Sequence, residues 1–82
     1  MTLTVLLFGR EADIAGCSAL RVDVREQRIT CAQLRQHLLR AAPRLAQALR
    51  TARFAVNHAY ADDSAMVGEG DEIALIGMVS GG

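Results

Sequence analysis

Few residues in this sequence carry a reactive group at a spacing that chemistry uses. Cys17 and Cys31 are the only cysteines. Their separation fits no zinc or redox motif, so they read as two reduced thiols and not as a disulfide. An iron–sulfur cluster is excluded, because it needs about four cysteines. His37 falls on a predicted helix, off its apolar stripe, and reads as solvated. His58 sits in a predicted turn with no ligand-spaced companion, so no metal site is expected. Ser80 has no base beside it, and serine nucleophiles need one, so it reads as a spacer. GEGDE (68–72) joins glycines to acids. A phosphate loop carries a lysine and leads into a helix, whereas this run leads into a strand and reads as a hairpin turn. Asp62, Asp63, Glu69, Asp71 and Glu72 form a loose acidic cluster. It reads as a solvated face, or as charge that steers docking onto a basic partner. What remains is the ending, Gly81–Gly82. Glycine loses more backbone freedom on ordering than any other residue, so a terminal pair anchors nothing. Chance places two glycines there in roughly one chain in 200. Either the ending is incidental, or the bare chain end is the working feature.

Composition narrows the classes. With 82 residues there is room for one domain with a thin core, offset by an apolar fraction of 51%. The aromatics are Phe8, Phe54 and Tyr60, too few for a base-stacking platform. Net charge is zero, so no nucleic acid is attracted by bulk charge. All nine basic residues are arginine. No side-chain amine is therefore present to form a Schiff base or accept an isopeptide bond. MTLTVLLFGR is apolar but lacks a basic leader and is too short for a signal sequence. No run approaches the roughly 20 residues needed to span a bilayer. The expectation is a soluble, cytoplasmic protein with no membrane contact.

The elements that must position these residues follow from periodicity. TLTVLLF (2–8) is a strand by composition and length. GREADIAGCSA (9–19) is expected to be an irregular loop broken at Gly9 and Gly16. LRVDV (20–24) alternates as a half-exposed strand does. Thr30 and Gln33 have capping-box spacing. Cys31, Leu34, Leu38 and Ala41 then form one helical stripe, with Arg35 and Arg40 off it. Pro43 ends or restarts the helix, and RLAQALR (44–50) adds a shorter one. RFAVNHAY (53–60) reads as strand, turn at Asn57–His58, short strand, and EIALIGM (72–78) as a last strand apolar on both faces. Such a strand belongs in the middle of a sheet, paired in parallel with the first. The result is an α+β fold: a mixed sheet of about five strands with one main helix on one face. Residues 1–78 form the domain and 79–82 a flexible Gly-Gly tail. Leu3, Val5 and Leu7 point to the helix. Leu6 and Phe8 point away, joined by Ile76 and Met78, and leave an uncovered apolar patch of the kind that marks a partner surface.

Strand order, length and ending together resemble the small subunit of molybdopterin synthase, a ubiquitin-like β-grasp sulfur carrier. The resemblance covers nearly the whole chain and rests on VLLFGREAD, ITCAQLRQHL, PRLAQAL, FAVNHAYA and VGEGDEIALIGMVSGG. It implies that the α-carboxyl of Gly82 is adenylated with ATP by a ubiquitin-activating-like adenylyltransferase. A sulfurtransferase donor then displaces AMP to leave a thiocarboxylate. Val79, Ser80 and Gly81 would thread into partner sites. The carrier would dock on the large catalytic subunit of a heterotetrameric synthase and hand sulfur to a pterin precursor. It would bind no cofactor and catalyse nothing alone.

The glycines suit that chemistry. A carboxylate is a poor electrophile and must become a mixed anhydride inside a narrow site, where a Cβ at position 81 or 82 would clash. One departure stands out. Family members often carry two prolines before the tail valine, and here those positions are Gly77 and Met78, which implies a looser tail exit. Three rivals stay open: the sulfur carrier of thiamine thiazole synthesis, a ubiquitin-like protein modifier, and an interaction module whose glycines are incidental. The thiamine carriers tend to be shorter and lack the helix-plus-proline segment at 30–50.

Overall fold

The computed structural model describes residues 1–78. The first strand, β1 (Thr2–Leu7), buries Leu3, Val5 and Leu7 and leaves Thr4 exposed, the period of two expected of a pleated strand. A helix follows, α1 (Gly9–Ala15), where an irregular loop was expected. Gly16 is its stop signal and not a breaker. It sits in the left-handed region at φ 77° and donates to the Ala12 carbonyl at 2.8 Å, a glycine C-cap. Strand β2 (Ala19–Asp23) returns antiparallel to β1.

A three-residue strand, β3 (Arg28–Thr30), precedes the main helix α2 (Cys31–Ala41). The capping box is formed: the Gln33 amide donates to Thr30 Oγ1 at 3.1 Å, and the Thr30 amide to Gln33 Oε1 at 2.9 Å. Cys31, Leu34 and Leu38 are fully buried, whereas Ala41, expected to extend the stripe, is exposed. Pro43–Leu45 make a single 3-10 turn and α3 (Ala46–Thr51) follows, burying Leu45 and Leu49.

Strands β4 (Arg53–Val56) and β5 (Ala59–Ala61) form a hairpin through Asn57 and His58, both at positive φ (52° and 71°). Two left-handed central residues define the type I′ turn that suits strand twist, and asparagine tolerates that region well. Next, β6 (Met66–Gly68) pairs with β3 in a separate two-stranded sheet that buries Ile29 against Val67. The sequence reading missed this small sheet, because three residues are too few for a period to show. Finally β7 (Ile73–Ile76) enters the middle of the main sheet, parallel to β1 and antiparallel to β4. The sheet order β2-β1-β7-β4-β5 matches the expected five strands and the expected first-to-last pairing.

Arg35 is the residue whose role the helical stripe misread. Its side chain is only 21% exposed. Nη1 donates to the carbonyls of Leu49 (2.5 Å) and Ala52 (2.7 Å), and Nη2 to Asp63 Oδ1 (3.1 Å). The carbonyls at the end of α3 lack helical partners, and the guanidinium supplies them. Its Cζ lies 5.1 Å from the Phe54 ring centroid. One side chain thus joins α2, α3, β4 and the loop before β6. Arg35→Ala is expected to cost about 2 kcal/mol in urea unfolding, the scale for hydrogen bonds from a charged donor. Arg35→Lys should recover only part, since an ammonium lacks the planar fork.

Candidate functional site

The parallel pairing sets Leu7 opposite Leu75, so β1 and β7 end on the same side of the molecule. Phe8 therefore emerges beside Ile76, Gly77 and Met78, and the four share the lining of one cavity. Phe8 is 54% and Met78 47% exposed, while Leu6 and Ile76 are half-buried on the sheet face away from the helices. The structure thus brings Leu6, Phe8, Ile76 and Met78 together on one side of the sheet. Val79, Ser80, Gly81 and Gly82 lie outside the described residues.

The open face is wider than those four residues. Register places Leu6 beside Ala74, Ala74 beside Ala55, and Ala55 beside Tyr60 across four adjacent strands. Two alanines in the centre leave a trough between Leu6 and Tyr60, whose ring is 58% exposed. Arg53, opposite Ile76, lays its guanidinium 4.6 Å from the Tyr60 ring centroid. Sequence reading missed Ala55, Tyr60 and Arg53 as members of this face. The signal was the alternation in RFAV combined with a two-residue hairpin, which fixes the register of β5.

Glu11 was also missed. It is the one buried charged side chain among the described residues, in the first turn of α1. A Cβ at position 77 would overlap both of its carboxylate oxygens. Gly77 thus has a packing reason: the space that proline would fill holds the Glu11 carboxylate.

The expected acidic cluster is not one patch. Asp63 pairs with Arg35 at 3.1 Å, and Glu72 with His58 at 3.2 Å on the exposed surface. Asp71 is a structural link: it accepts from Asn57 Nδ2 at 3.0 Å and from the Gly68 amide at 2.8 Å. The Asn57 amide donates to the Glu72 carbonyl at 2.7 Å, and the Glu72 amide returns to Asn57 Oδ1 at 2.9 Å. The run 68–72 is the turn between β6 and β7, bonded to the β4–β5 hairpin. The Asn57 and Gly68 hydrogen bonds, with a smaller contribution from the Arg28 charge, hold the Asp71 carboxyl below its usual value. His37 is half-buried on α2, and Cys17 is exposed and free. Burial and the nearby Asp63 push the Cys31 thiol up, against a smaller opposing pull from Arg35, so it is a poor nucleophile. Among the described residues no group of three or more His, Cys, Asp or Glu side chains is arranged to hold a metal, and no helix is long and apolar enough to cross a membrane.

A mixed sheet with a parallel central pair, helices over one face and the order found here defines the β-grasp class, the architecture of ubiquitin-like proteins. Residues 5–82 match the ThiS family, and the chain belongs to that family of ubiquitin-like sulfur carriers. SAMP1 from Haloferax volcanii is similar at 28% identity and a TM-score of 0.84, with 100% of each chain covered. A putative molybdopterin converting factor subunit 1 from Pyrococcus furiosus shares the fold at 16% identity and a TM-score of 0.81, covering 95% of this chain and 98% of that one. A complex of subunits 1 and 2 of the molybdopterin-converting factor from Helicobacter pylori includes a chain of the same fold, at 23% identity, a TM-score of 0.67 and 100% coverage of each.

Asp71 gives a pH prediction. Its folded-state pKa lies below the ordinary 3.8, so its stabilisation is present above that value and is lost as pH falls through the lower folded-state value. Asp71→Asn should be less stable at neutral pH and lose less on acidification. Urea unfolding curves for the two proteins across the acid range should converge at the acid end.

Proposed function

We propose that this protein carries sulfur for molybdenum cofactor synthesis as a thiocarboxylate on Gly82. The reading is carried by the family match, which runs through residue 82. The apolar face around Leu6, Phe8, Ile76 and Met78 supports it, because that face includes the last described residue and suits a protein that presents its chain end to a partner. An adenylyltransferase joins the Gly82 carboxylate to AMP at the expense of ATP, and a sulfurtransferase donor displaces the AMP. The large catalytic subunit of molybdopterin synthase then takes the sulfur to a pterin precursor. That partner is supported by the fold shared with the Helicobacter pylori complex of subunits 1 and 2. The domain contributes no acid–base group to the transfer, so the protein is the non-catalytic member of the pair. Its demand for ATP sets the work in the cytoplasm.

The likeness to SAMP1, also described as small archaeal modifier protein 1, favours a second reading in which the same activated glycine is joined to amines of other proteins. Incubation with ATP, the adenylyltransferase and a sulfur source, followed by intact mass measurement, tests the first. One sulfur in place of one oxygen is expected, and deletion of Gly82 should abolish it while leaving the melting temperature unchanged. Pterin dithiolene formation after addition of the large subunit supports the molybdopterin route. Lysine-linked adducts in its place support the modifier. Phe8→Asp should weaken binding to the large subunit by about tenfold or more, read by calorimetry.

A further inference from the structure

The open face is apolar in its middle, and a cavity of about 310 Å³ opens on it, lined by Ala55, His58, Tyr60 and Ile76. Ala55 is the smallest of the four and leaves space between larger neighbours. Arg53 is the charged residue that adjoins this cavity. It pairs with Ile76 across β4 and β7, and it is exposed. Its guanidinium lies 4.6 Å from the Tyr60 ring centroid. Stacking uses the flat face of a guanidinium and leaves the N–H groups at its edge free to point at an acceptor. A side chain already held on a ring also loses less freedom when it binds. At the far edge of the face, register sets Arg21 beside Thr4 and Asp23 beside Thr2. Thr2 Oγ1 donates to Asp23 Oδ1 at 2.6 Å, so the one acid among the strand residues of this face is engaged within the chain. Its strand cations are two, Arg21 and Arg53. Tyrosine and arginine beside an apolar depression are the residue types that dominate binding energy between proteins.

We propose that Arg53 selects the protein partner of this face, by receiving an Asp or Glu side chain from a partner segment that also sets an aliphatic side chain into the cavity beside Ala55. The identity of that partner rests on the carrier reading above; the chemistry it must present rests on Arg53, Tyr60 and the cavity. Charge complementarity calls for an acid, because the strand cations of the face outnumber its acid and that acid is bonded to Thr2. The guanidinium fork can donate to both oxygens of one carboxylate, which fixes the angle at which the partner lies as well as its position. The cavity, next to the stacked pair, calls for an apolar side chain close in space to that acid. A nucleic acid is a poor match, since the chain has no net charge and the surroundings of Arg53 on this face are apolar. Arg53 is thus a specificity-determining residue of the docking step and touches no reacting atom.

Calorimetry of the full-length chain with the large synthase subunit of the same organism, at low and high salt, is the first test. Arg53→Gln should weaken binding about tenfold at low salt, and the two proteins should converge at high salt, where the ion pair is screened. Arg53→Lys should recover only part of the loss. Ala55→Leu, which fills the cavity, should weaken binding about tenfold at both salt concentrations. Melting temperatures of the variants should match that of the unmodified protein, since both positions lie on the open face. Unchanged affinity in Arg53→Gln, a loss that salt does not reduce, or full affinity in Ala55→Leu overturns the proposal. Absence of binding by the unmodified protein defeats the carrier reading and leaves a second arm to decide the selectivity. There the nitrogen-15-labelled full-length chain is titrated with the capped peptide acetyl-Leu-Glu-Leu amide, and with its glutamine counterpart as control. Saturable shifts at the Arg53 Nε–H and at the Ala55 and Tyr60 amides are expected with the glutamate peptide alone. Equal shifts with both peptides, or none with either, overturn the proposal. Deletion of residues 79–82 without peptide should leave the Arg53 Nε–H signal in place. A large shift on that deletion assigns the chain's own end to Arg53 and also overturns it.

Discussion

Every functional feature of this molecule depends on the parallel contact between its first and last strands. Val5, Leu6 and Leu7 pair with Ile73, Ala74 and Leu75, so two segments from opposite ends of the chain run side by side and stop together. Parallel strands are ordinarily covered on both faces. Here the helices cover one face, where Val5, Ile73, Leu75 and the neighbouring Phe54 are almost completely buried. The other face keeps Leu6 and Ile76 only half-covered. Burial on the helix side holds the pair in register, and the register fixes what the open side presents.

The remaining polar contacts keep that presentation rigid. Arg35 gathers α2, α3 and the loop before β6 under the sheet. Asn57 and Asp71 lock the β4–β5 hairpin to the turn that launches β7. Asp63 and Asp71 are engaged in these links and Glu72 pairs with His58, so the acids of residues 62–72 do not form a single field. The open face carries charge at Arg53, which is stacked on Tyr60, and at its β2 edge, where register sets Arg21 beside Thr4 and Asp23 beside Thr2. A scaffold of this kind is stiff where it holds the last strand and chemically quiet, which suits a protein whose reactive atom lies on its main chain.

Much of this was legible in the residues. Alternation in TLTVLL told which side chains of β1 face the helix. Thr30 and Gln33 marked the start of α2, and Asn57–His58 marked a hairpin. These signals are local, because capping and turn conformations depend on residues three or four apart. The irregular loop expected at 9–19 was an error of the same local kind. A glycine reads locally as a breaker, whereas Gly16 terminates a seven-residue helix. A helix that short shows barely two turns of periodicity. The β3–β6 pair went unseen for a similar reason: its strength lies in Ile29 meeting Val67, residues far apart in sequence.

Local pattern specified the five strands of the main sheet, the main helix, most of the inward core residues and the candidate chemistry at the chain end. Each is written in a repeat, a cap or a terminal residue type. Packing alone tied Arg35, off the apolar stripe, to α3, made Ala55 and Tyr60 continue the face begun by Leu6, and set Glu11 against Gly77. Those facts arise from long-range packing, in which a side chain's surroundings are supplied by strands and helices that no local pattern can specify.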